Sequence, residues 1–303
     1  MGYALLFAGQ GLQNPQMLAW VDRDGAPVPA LDESLGTDWR NRMADAGWSA
    51  RNAIAQPLLT GLALAAWQQL ASQLPAPSIV AGYSVGELAA FCAAGVFDSA
   101  TAMRLATARA RCMDAAADGL ETGLLAVTGA TFAQIERLCE RHGLDVAIRL
   151  GPGSAVLGGL RLSLAGAADA ATREGARCTL LNVALASHTR WMLPAVESFD
   201  RVLAATELRR PAVALASNAL GRVSDGTRAR EALARQIAQT VRWDECLDSV
   251  AAQRVEAVLE IGAGDALSRM WRERFPDVPA RSADEFQTPR SVAAWIRSRI
   301  TSE

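Results

Sequence analysis

A serine flanked by two glycines is the residue of this sequence best suited to covalent chemistry. Residues 82–86 read Gly-Tyr-Ser-Val-Gly, between a short apolar stretch at 78–81 and a helical pattern at 87–94. A strand, a sharp turn and a helix in this order form a nucleophile elbow, in which the serine side chain points out of the sheet. The pattern predicts Ser84 as a nucleophile; the alternative is an ordinary turn bounded by glycines.

A serine hydroxyl is a weak nucleophile at neutral pH and needs a general base. The chain has two histidines, His142 and His188. His142 precedes a glycine at the predicted end of a helix, where a histidine usually complements the helix dipole. His188 follows an apolar strand pattern at a predicted boundary between two parts of the chain, and such boundaries form clefts. A purely structural role is possible for any lone histidine, but this placement favours His188 as the base.

Two turns offer backbone amides for an oxyanion. The amide of Val85 follows the serine, at a helix N-terminus that adds partial positive charge. The Gly-Gln-Gly turn at 9–11 follows the first predicted strand and offers the amide of Gln10, provided that this strand is beside the serine strand. An ordinary turn is the alternative there. The same holds for the Gly-Ala-Gly turn at 262–264, which lacks the full dinucleotide and phosphate-binding patterns.

Two arginines, Arg109 and Arg111, lie on a helix predicted over 98–117. A buried arginine can bind a carboxylate through two parallel hydrogen bonds. An exposed arginine is a solvated surface residue. The sequence alone leaves both interpretations open.

The elements that must position these residues alternate between strand and helix. This alternation predicts an α/β fold, with a large hydrolase-like domain, a mostly parallel sheet and a nucleophile elbow. Residues 121–187 instead read β-α-β-β-α-β, which is the order of a small ferredoxin-like subdomain. The predicted division is therefore a large domain of residues 1–120 and 188–303, with 121–187 inserted as the small subdomain.

Hydrophobic periodicity also gives the individual elements. The predicted strands are 3–8, 78–81, 124–128, 146–150, 160–165, 178–184, 213–217 and 257–261. The predicted helices are 15–20, 39–73, 87–94, 98–117, 131–142, 167–175, 191–205, 227–238 and 244–253, and the chain beyond 264 is predicted to be helical. Residues 22–38 are rich in Asp, Gly and Pro and predict a loop.

Composition narrows the function classes. Half of the 303 residues are apolar, and 30 basic against 32 acidic side chains leave a formal charge of -2. Such a chain has no net basic field for nucleic acid, and no apolar stretch long enough to span a membrane is present. Five scattered cysteines without a C-x-x-C pair predict a reducing, cytoplasmic setting, and with two histidines they predict no metal site. We therefore expect no nucleic acid, membrane, metal or bound cofactor.

Taken together, the motifs resemble those of the malonyl-CoA:acyl-carrier-protein transacylases, over nearly the whole chain. The matching segments are, in order, Phe7-Ala8-Gly9-Gln10-Gly11, Gly82-Tyr83-Ser84-Val85-Gly86-Glu87, Ala94-Gly95-Val96-Phe97-Asp98, Arg109 within 108–113, Ser187-His188, Ser217-Asn218, Gln236 through Trp243, and Glu260-Ile261-Gly262-Ala263-Gly264. Several motifs in one order are far more specific than any one of them.

The resemblance implies a role for each site residue. Ser84 would carry a malonyl ester taken from malonyl-CoA, and His188 would act as base, oriented by the backbone carbonyl of Gln236. The amides of Gln10 and Val85 would form the oxyanion hole. Arg109 would bind the free malonyl carboxylate. The acceptor would be the thiol of a phosphopantetheine-type arm on an acyl carrier protein.

Three positions depart from the family pattern: Tyr83 replaces a histidine, while Ala8 and Thr240 replace prolines. None of them removes a catalytic group. The Gly-Tyr-Ser-Val-Gly-Glu elbow and the Phe-Ala-Gly-Gln-Gly opening look most like the epsilon subunit of bacterial malonate decarboxylase. That likeness implies the decarboxylase carrier subunit as acceptor and other decarboxylase subunits as further partners.

Three other functions stay open at this point. The first is the fatty-acid-synthesis transacylase of the same family. The second is an α/β-hydrolase thioesterase, which needs an acidic residue between serine and histidine; Asp145 and Asp169 lie there, but within the predicted insert. The third is a non-catalytic docking subunit, against which the combination of Ser84, His188 and Arg109 argues.

Overall fold

The computed structural model describes residues 2–21 and 28–300. The strands are β1 (Tyr3–Phe7), β2 (Ile79–Gly82), β3 (Thr122–Thr128), β4 (Asp145–Gly151), β5 (Ser154–Leu160), β6 (Arg177–Leu180), β7 (Ala214–Ser217), β8 (Gly221–Val223), β9 (Val241–Arg242), β10 (Ala257–Ile261) and β11 (Ala280–Ser282). The helices are α1 (Pro29–Leu35), α2 (Trp39–Arg42), α3 (Ala46–Ser49), α4 (Asn52–Ala71), α5 (Gly86–Ala93), α6 (Ser99–Ala116), α7 (Phe132–His142), α8 (Arg161–Arg173), α9 (Leu193–Ala204), α10 (Gly226–Arg235), α11 (Trp243–Ala251), α12 (Ala266–Arg274) and α13 (Pro289–Arg297).

A six-stranded sheet forms the centre of the molecule, in the order β11-β10-β1-β2-β7-β8. Its neighbouring strands are parallel except for the β7–β8 pair. Every residue of β1 is buried, with alternate side chains in two hydrophobic cores on opposite faces of the sheet. A strand covered on both faces has to be apolar throughout, and this explains the unbroken apolar run near the N-terminus.

A second sheet has the order β6-β3-β5-β4-β9. Its first four strands are antiparallel and, together with α7 and α8, follow the β-α-β-β-α-β order of a ferredoxin-like unit. These two helices and one face of the sheet enclose a separate hydrophobic core. The α/β fold with a small ferredoxin-like unit is therefore confirmed.

The two sheets meet through α11 and the strand before it. Strand β9 pairs in parallel with β4, with Val241 opposite Ile148, although the rest of the small sheet comes from residues 122–180. Trp243, at the start of α11, is fully buried in the core between the sheets. The limits at 121 and 187 stay a prediction.

Several N-terminal predictions were wrong in detail. Residues 15–20 form turns rather than a helix, because Leu18 has a positive φ of 48°, which a continuing α-helix does not allow. The predicted loop at 22–38 contains α1; its residues 22–27 lie outside the described residues. The single helix predicted over 39–73 is divided into α2, α3 and α4, and Asp45 caps α3 by accepting hydrogen bonds from two backbone amides.

In the small subdomain, one predicted strand and two predicted element boundaries were wrong. The strand predicted at 160–165 is wrong, because the strand ends at Leu160 and α8 begins at Arg161. Gly158 and Gly159 interrupt the apolar pattern of β5, and for this reason periodicity did not indicate a strand there. A Cβ at either position would crowd Thr189 or Leu144, so close packing requires glycine there. The helix predicted at 167–175 begins earlier, and β6 stops at Leu180 rather than 184.

Three short edge strands were not predicted: β8 and β11 at the edges of the large sheet, and β9 at one edge of the small sheet. Strands β8, β9 and β11 contain two or three residues each, which is too short for periodicity to mark. The described helices include none that is both long and apolar enough to cross a membrane.

Candidate active site

The turn between β2 and α5 places Ser84 at the carboxyl edge of the large sheet. Ser84 has a φ of 54°, in the left-handed region that non-glycine residues rarely adopt. A Cβ on Gly82 would collide with the backbone of Gly86, and a Cβ on Gly86 would collide with the carbonyl oxygens of Phe7 and Ala8. The two glycines thus allow α5 to start directly against β1, as the elbow pattern predicts.

A line of hydrogen bonds runs from the serine through the histidine to a backbone carbonyl. The Oγ of Ser84 lies 2.7 Å from Nε2 of His188. On the other side of the ring, Nδ1 of His188 lies 2.6 Å from the carbonyl oxygen of Gln236. A carbonyl oxygen only accepts, so Nδ1 carries the proton and Nε2 is free to accept from the serine hydroxyl. The three predicted residues are therefore brought together.

His188 is held in place by its own backbone as well as by its ring. It has a positive φ of 66°, and its amide donates a 2.8 Å hydrogen bond to the carbonyl oxygen of Ile237. The residue is buried. Burial first, and the nearby Arg109 cation second, lower the pKa of His188 to about 3, although its hydrogen bond to Gln236 opposes this change. The imidazole is consequently neutral near pH 7.

Arg109 is buried on α6 and reaches the same group of residues. Its Nη2 donates to Oε1 of Gln236 at 2.6 Å, and Nε2 of Gln236 donates to the carbonyl oxygen of Ser84 at 2.6 Å. Burial lowers the pKa of Arg109 to about 10, while Glu87 opposes the change, so the guanidinium keeps its charge near pH 7. Arg111, two residues further on, is exposed. The structure thus separates a buried arginine at the site from a surface one.

The Gly-Gln-Gly turn at 9–11 lies beside the elbow. Strands β1 and β2 are parallel neighbours, and the amide of Tyr83 donates to the carbonyl oxygen of Phe7 at 2.9 Å. The side chain of Gln10 donates to the carbonyl oxygen of Ala50, which holds the turn over the sheet edge. Within the described residues, the amides of Gln10 and Val85 donate no backbone hydrogen bond. Both are available to an added acceptor.

Two motif residues, Asn218 and Glu87, lie beneath the elbow, and the sequence assigns neither of them a role. Asn218 is fully buried; its Oδ1 accepts from the amide of Ser84 at 2.8 Å, and its Nδ2 donates to the carbonyl oxygen of Gly82 at 2.7 Å. Glu87 is buried in the first turn of α5, and its Oε1 accepts from the amide of Asn218 at 2.5 Å. The signal in the sequence was the presence of polar residues directly after a buried strand and at a helix start.

A cavity of about 570 Å³ lies beside His188, between the two sheets. Its walls come from the small subdomain, around 144–146, and from the segments near His188, Ala219 and 238–242. Thr240 closes one side, with its hydroxyl donating to the carbonyl oxygen of Val146 at 2.7 Å. The cavity therefore gives access to the histidine from the space between the two sheets.

The remaining candidates lie elsewhere. His142 is the last residue of α7 and is followed by Gly143 in the left-handed conformation, as a helix-ending histidine should be. The turn at 262–264 packs against the first turn of the chain, because a Cβ on Gly262 would collide with Ala8. No cluster of His, Cys, Asp and Glu able to hold a metal ion occurs among residues 2–21 and 28–300.

A serine on a nucleophile elbow, hydrogen-bonded to a buried neutral histidine, is the arrangement of enzymes that pass an acyl group through a serine ester. Comparison with known proteins narrows this class. The acyl transferase domain family matches residues 35–300, and the chain belongs to this family.

Two curated relatives match this chain over nearly their whole length. The malonyl CoA-acyl carrier protein transacylase of Mycobacterium tuberculosis is 33% identical over 292 residues, covering 92% of this chain and 95% of that protein. The Escherichia coli protein of the same name is 30% identical over 312 residues, covering 97% and 98%. Among solved structures, a malonyl-transacylase in complex with its type II PKS acyl-carrier protein has a TM-score of 0.90 and 27% identity, covering 97% of this chain and 99% of that one.

Proposed function

We propose that this protein transfers a malonyl group from malonyl-CoA, through an ester on Ser84, to the thiol of an acyl carrier protein's phosphopantetheine-type arm. The observation that carries the proposal is the hydrogen-bonded series from Ser84 through His188 to Gln236, with the buried cation of Arg109 bound to the Gln236 side chain. The malonyl-transferring relatives named above support the same reaction.

In the first half-reaction, Ser84 Oγ attacks the thioester carbonyl carbon while its proton moves to Nε2 of His188. The negative charge that develops on the carbonyl oxygen is stabilised by the amides of Gln10 and Val85. The carbon–sulfur bond then breaks, and the CoA thiolate takes the proton from the imidazolium. Ser84 is left as a malonyl ester and His188 is neutral again.

The second half-reaction repeats these steps with the carrier thiol. His188 accepts the thiol proton as sulfur attacks the ester carbon. The negative charge on the oxygen of the tetrahedral intermediate is again stabilised by the two amides. The bond to Ser84 breaks, and the serine oxygen recovers a proton from the imidazolium. The products are the malonyl thioester of the carrier and the free enzyme, so the mechanism is a ping-pong one.

The histidine works without an acidic partner. The Gln236 carbonyl fixes the tautomer by accepting from Nδ1, which leaves Nε2 as the base. Because the pKa of His188 is about 3, the imidazole enters every cycle in its neutral form. A thioester needs less activation than an amide, and a carbonyl dipole provides part of the stabilisation that a carboxylate gives a triad.

Arg109 gives the proposed preference for malonyl over acetyl. Its guanidinium is charged and buried, so a ligand carboxylate can form charge-assisted hydrogen bonds with it away from water. An acetyl group offers no such partner.

For the acceptor we propose the carrier subunit of malonate decarboxylase, with other subunits of that enzyme as further partners and the cytoplasm as the location. The Gly-Tyr-Ser elbow supports this choice. Tyr83 packs edge-on against Trp243, with ring centroids 5.2 Å apart, so an aromatic pair occupies the position at which the family pattern has a histidine. A second candidate is the acyl carrier protein of fatty-acid synthesis, because the relatives named above are transacylases that act on an acyl carrier protein.

Intact-protein mass spectrometry tests the proposal. The wild type is mixed briefly with malonyl-CoA or acetyl-CoA, with Ser84→Ala as control. A malonyl mass gain on the wild type alone supports the ester. Steady CoA release without an adduct points to a thioesterase, and neither adduct nor release points to a docking subunit. Adding each carrier to the loaded enzyme then identifies the acceptor: a decarboxylase carrier that removes the malonyl group more slowly than the fatty-acid carrier overturns our choice.

A further inference from the structure

The strand that carries the nucleophile leaves its sheet partner just before the elbow. Strands β2 and β7 pair in parallel through Ala81 and Ala216, after which Ser84 turns into the left-handed region. Asn218 follows β7 and reaches across to the elbow. Its side-chain oxygen accepts from the Ser84 amide at 2.8 Å, and its side-chain nitrogen donates to the Gly82 carbonyl oxygen at 2.7 Å. The side-chain amide therefore replaces the next peptide group of the β2–β7 ladder.

The orientation of this amide is determined by its partners. The Ser84 amide only donates and the Gly82 carbonyl only accepts, so the oxygen and nitrogen of the Asn218 side chain cannot exchange places. The backbone of Asn218 is fixed as well. Its amide donates to Oε1 of Glu87 at 2.5 Å, and its carbonyl oxygen accepts from the amide of Arg242 at 3.0 Å. Asn218 thus joins the elbow to the helix that follows it.

We propose that Asn218 is a positioning residue that holds Ser84 in the left-handed conformation from which its hydroxyl reaches His188. A non-glycine residue stays in that region only when its surroundings determine it. Without the side chain of Asn218, the amide of Ser84 and the carbonyl of Gly82 lose their partners, and the turn relaxes towards the extended conformation. The Oγ then moves away from Nε2 of His188. This inference rests on the proposed role of Ser84 as nucleophile.

The test measures the reactivity of Ser84 with a small fluorophosphonate, which phosphonylates activated serines and resembles neither CoA nor a malonyl group. Asn218→Ala is expected to lower the second-order rate constant by about 100-fold, the typical effect of a displacement of about 1 Å. The matched control is Val292→Ala, which leaves a cavity at a fully buried position of α13. Both variants lose stability in urea, but Val292→Ala should react within about threefold of the wild type.

Equal rate constants for Asn218→Ala and Val292→Ala would overturn the proposal, since the loss would then follow stability alone. A wild type that reacts no faster than Ser84→Ala would overturn the nucleophile itself, and with it both proposals. A wild type that reacts but takes no malonyl group from malonyl-CoA would overturn the proposed function and leave the role of Asn218 in place.

Asn218→Asp decides the question if the alanine variant does not fold. The carboxyl group has the size of the amide, but it donates to Gly82 only when protonated. Position 218 is fully buried, and burial raises the pKa of a carboxyl group by several units. Reactivity of this variant should therefore rise as the pH is lowered from about 9 to about 6, relative to the wild type over the same range. The titratable groups facing this side chain are Glu87 from α5 and Cys246 from α11, and both are common to the two proteins. Parallel pH profiles would contradict the positioning role.

Discussion

The guanidinium of Arg109 donates a 2.6 Å hydrogen bond to the side-chain oxygen of Gln236, and the same amide group donates to the Ser84 carbonyl oxygen at 2.6 Å. Gln236 therefore touches the cation, the nucleophile and, through its own backbone, the base. Before substrate binds, the cation has a neutral partner. A malonyl carboxylate forms a stronger, charge-assisted bond and can compete with that amide.

Replacing Gln236 with glutamate should give the Arg109 cation a charged partner before substrate binds. The carboxylate of Gln236→Glu would pair with Arg109 and occupy the position that the proposed malonyl carboxylate needs, while its oxygen would face the Ser84 carbonyl unfavourably. We expect loading of both acyl groups to fall, and the ratio of kcat/KM for malonyl-CoA over acetyl-CoA to fall by about 10- to 100-fold, equivalent to the roughly 1.5–3 kcal/mol of a hydrogen bond to a charged group.

The control for this prediction is Gln253→Glu, which makes the same change at an exposed position outside the cavity beside His188. It should leave the malonyl-to-acetyl ratio within about twofold of the wild type, as surface changes usually do. An unchanged malonyl-to-acetyl ratio in Gln236→Glu would show that the side chain at position 236 does not affect how Arg109 distinguishes the two acyl groups.

Arg109→Ala should separate malonyl from acetyl loading most clearly. Removing the guanidinium removes the proposed partner of the malonyl carboxylate, so malonyl loading should fall by at least about 100-fold, since an unpaired buried charge costs about 3 kcal/mol or more. Acetyl loading should persist or rise. Arg111→Ala, an exposed change on the same helix, is the matched control and should preserve both rates. Equal losses for the two acyl groups in Arg109→Ala would contradict the proposed role of Arg109 in binding the malonyl carboxylate.

The sequence predicted those parts of the site that lie on long, regular elements. The elbow follows from a short apolar strand, two glycines and a helix, and each glycine is needed for a backbone contact that a Cβ would block. His188 followed from scarcity and from its place at a boundary between two parts of the chain. The buried state of Arg109, in contrast to Arg111, was not available from spacing alone, because it depends on α6 packing against α4 and α9.

Other features depend on contacts that are distant in sequence. Asn218 acts on Ser84 across 134 positions, and no local pattern indicates which side-chain amide will complete a strand ladder. The glycines of β5 interrupt its apolar pattern, but in the structure they allow the small sheet to pack closely on Thr189 and Leu144. Tertiary packing determined these features, and a periodicity argument does not include it.

The rate of Ser84 acylation should not fall near pH 6.5, where protonation of an ordinary histidine base would reduce it. With the pKa of His188 lowered to about 3 by burial and by Arg109, the base stays neutral well below the ordinary value of 6.5. The initial rate of Ser84 acylation should thus be nearly constant from about pH 5 to about pH 8. Arg109→Ala, assayed with acetyl-CoA, should move the acid limb upward because one of the two causes is removed. A wild-type limb centred near the ordinary value would contradict the buried, neutral base.

Glu87 should make the protein less stable as the pH rises. Burial raises its pKa from 4.5 to about 8, so the folded protein holds a proton there that the unfolded chain releases. A raised carboxyl pKa contributes stability that is complete below the unfolded value and is lost as the pH rises through the folded one. Across this window each pH unit costs about 1.4 kcal/mol at most.

Glu87→Gln isolates this effect. The glutamine keeps an oxygen that can accept from the Asn218 amide, but it cannot ionise, so its free energy of unfolding should fall less steeply than that of the wild type between about pH 5 and about pH 8. Urea unfolding of both proteins at several pH values measures the difference. Glu260, whose pKa burial raises to about 7, contributes equally to both proteins and cancels, as does His188. Identical slopes would mean that Glu87 is already ionised in the folded protein, paired with the Arg109 cation, and that the malonyl carboxylate must compete with it for the same charge.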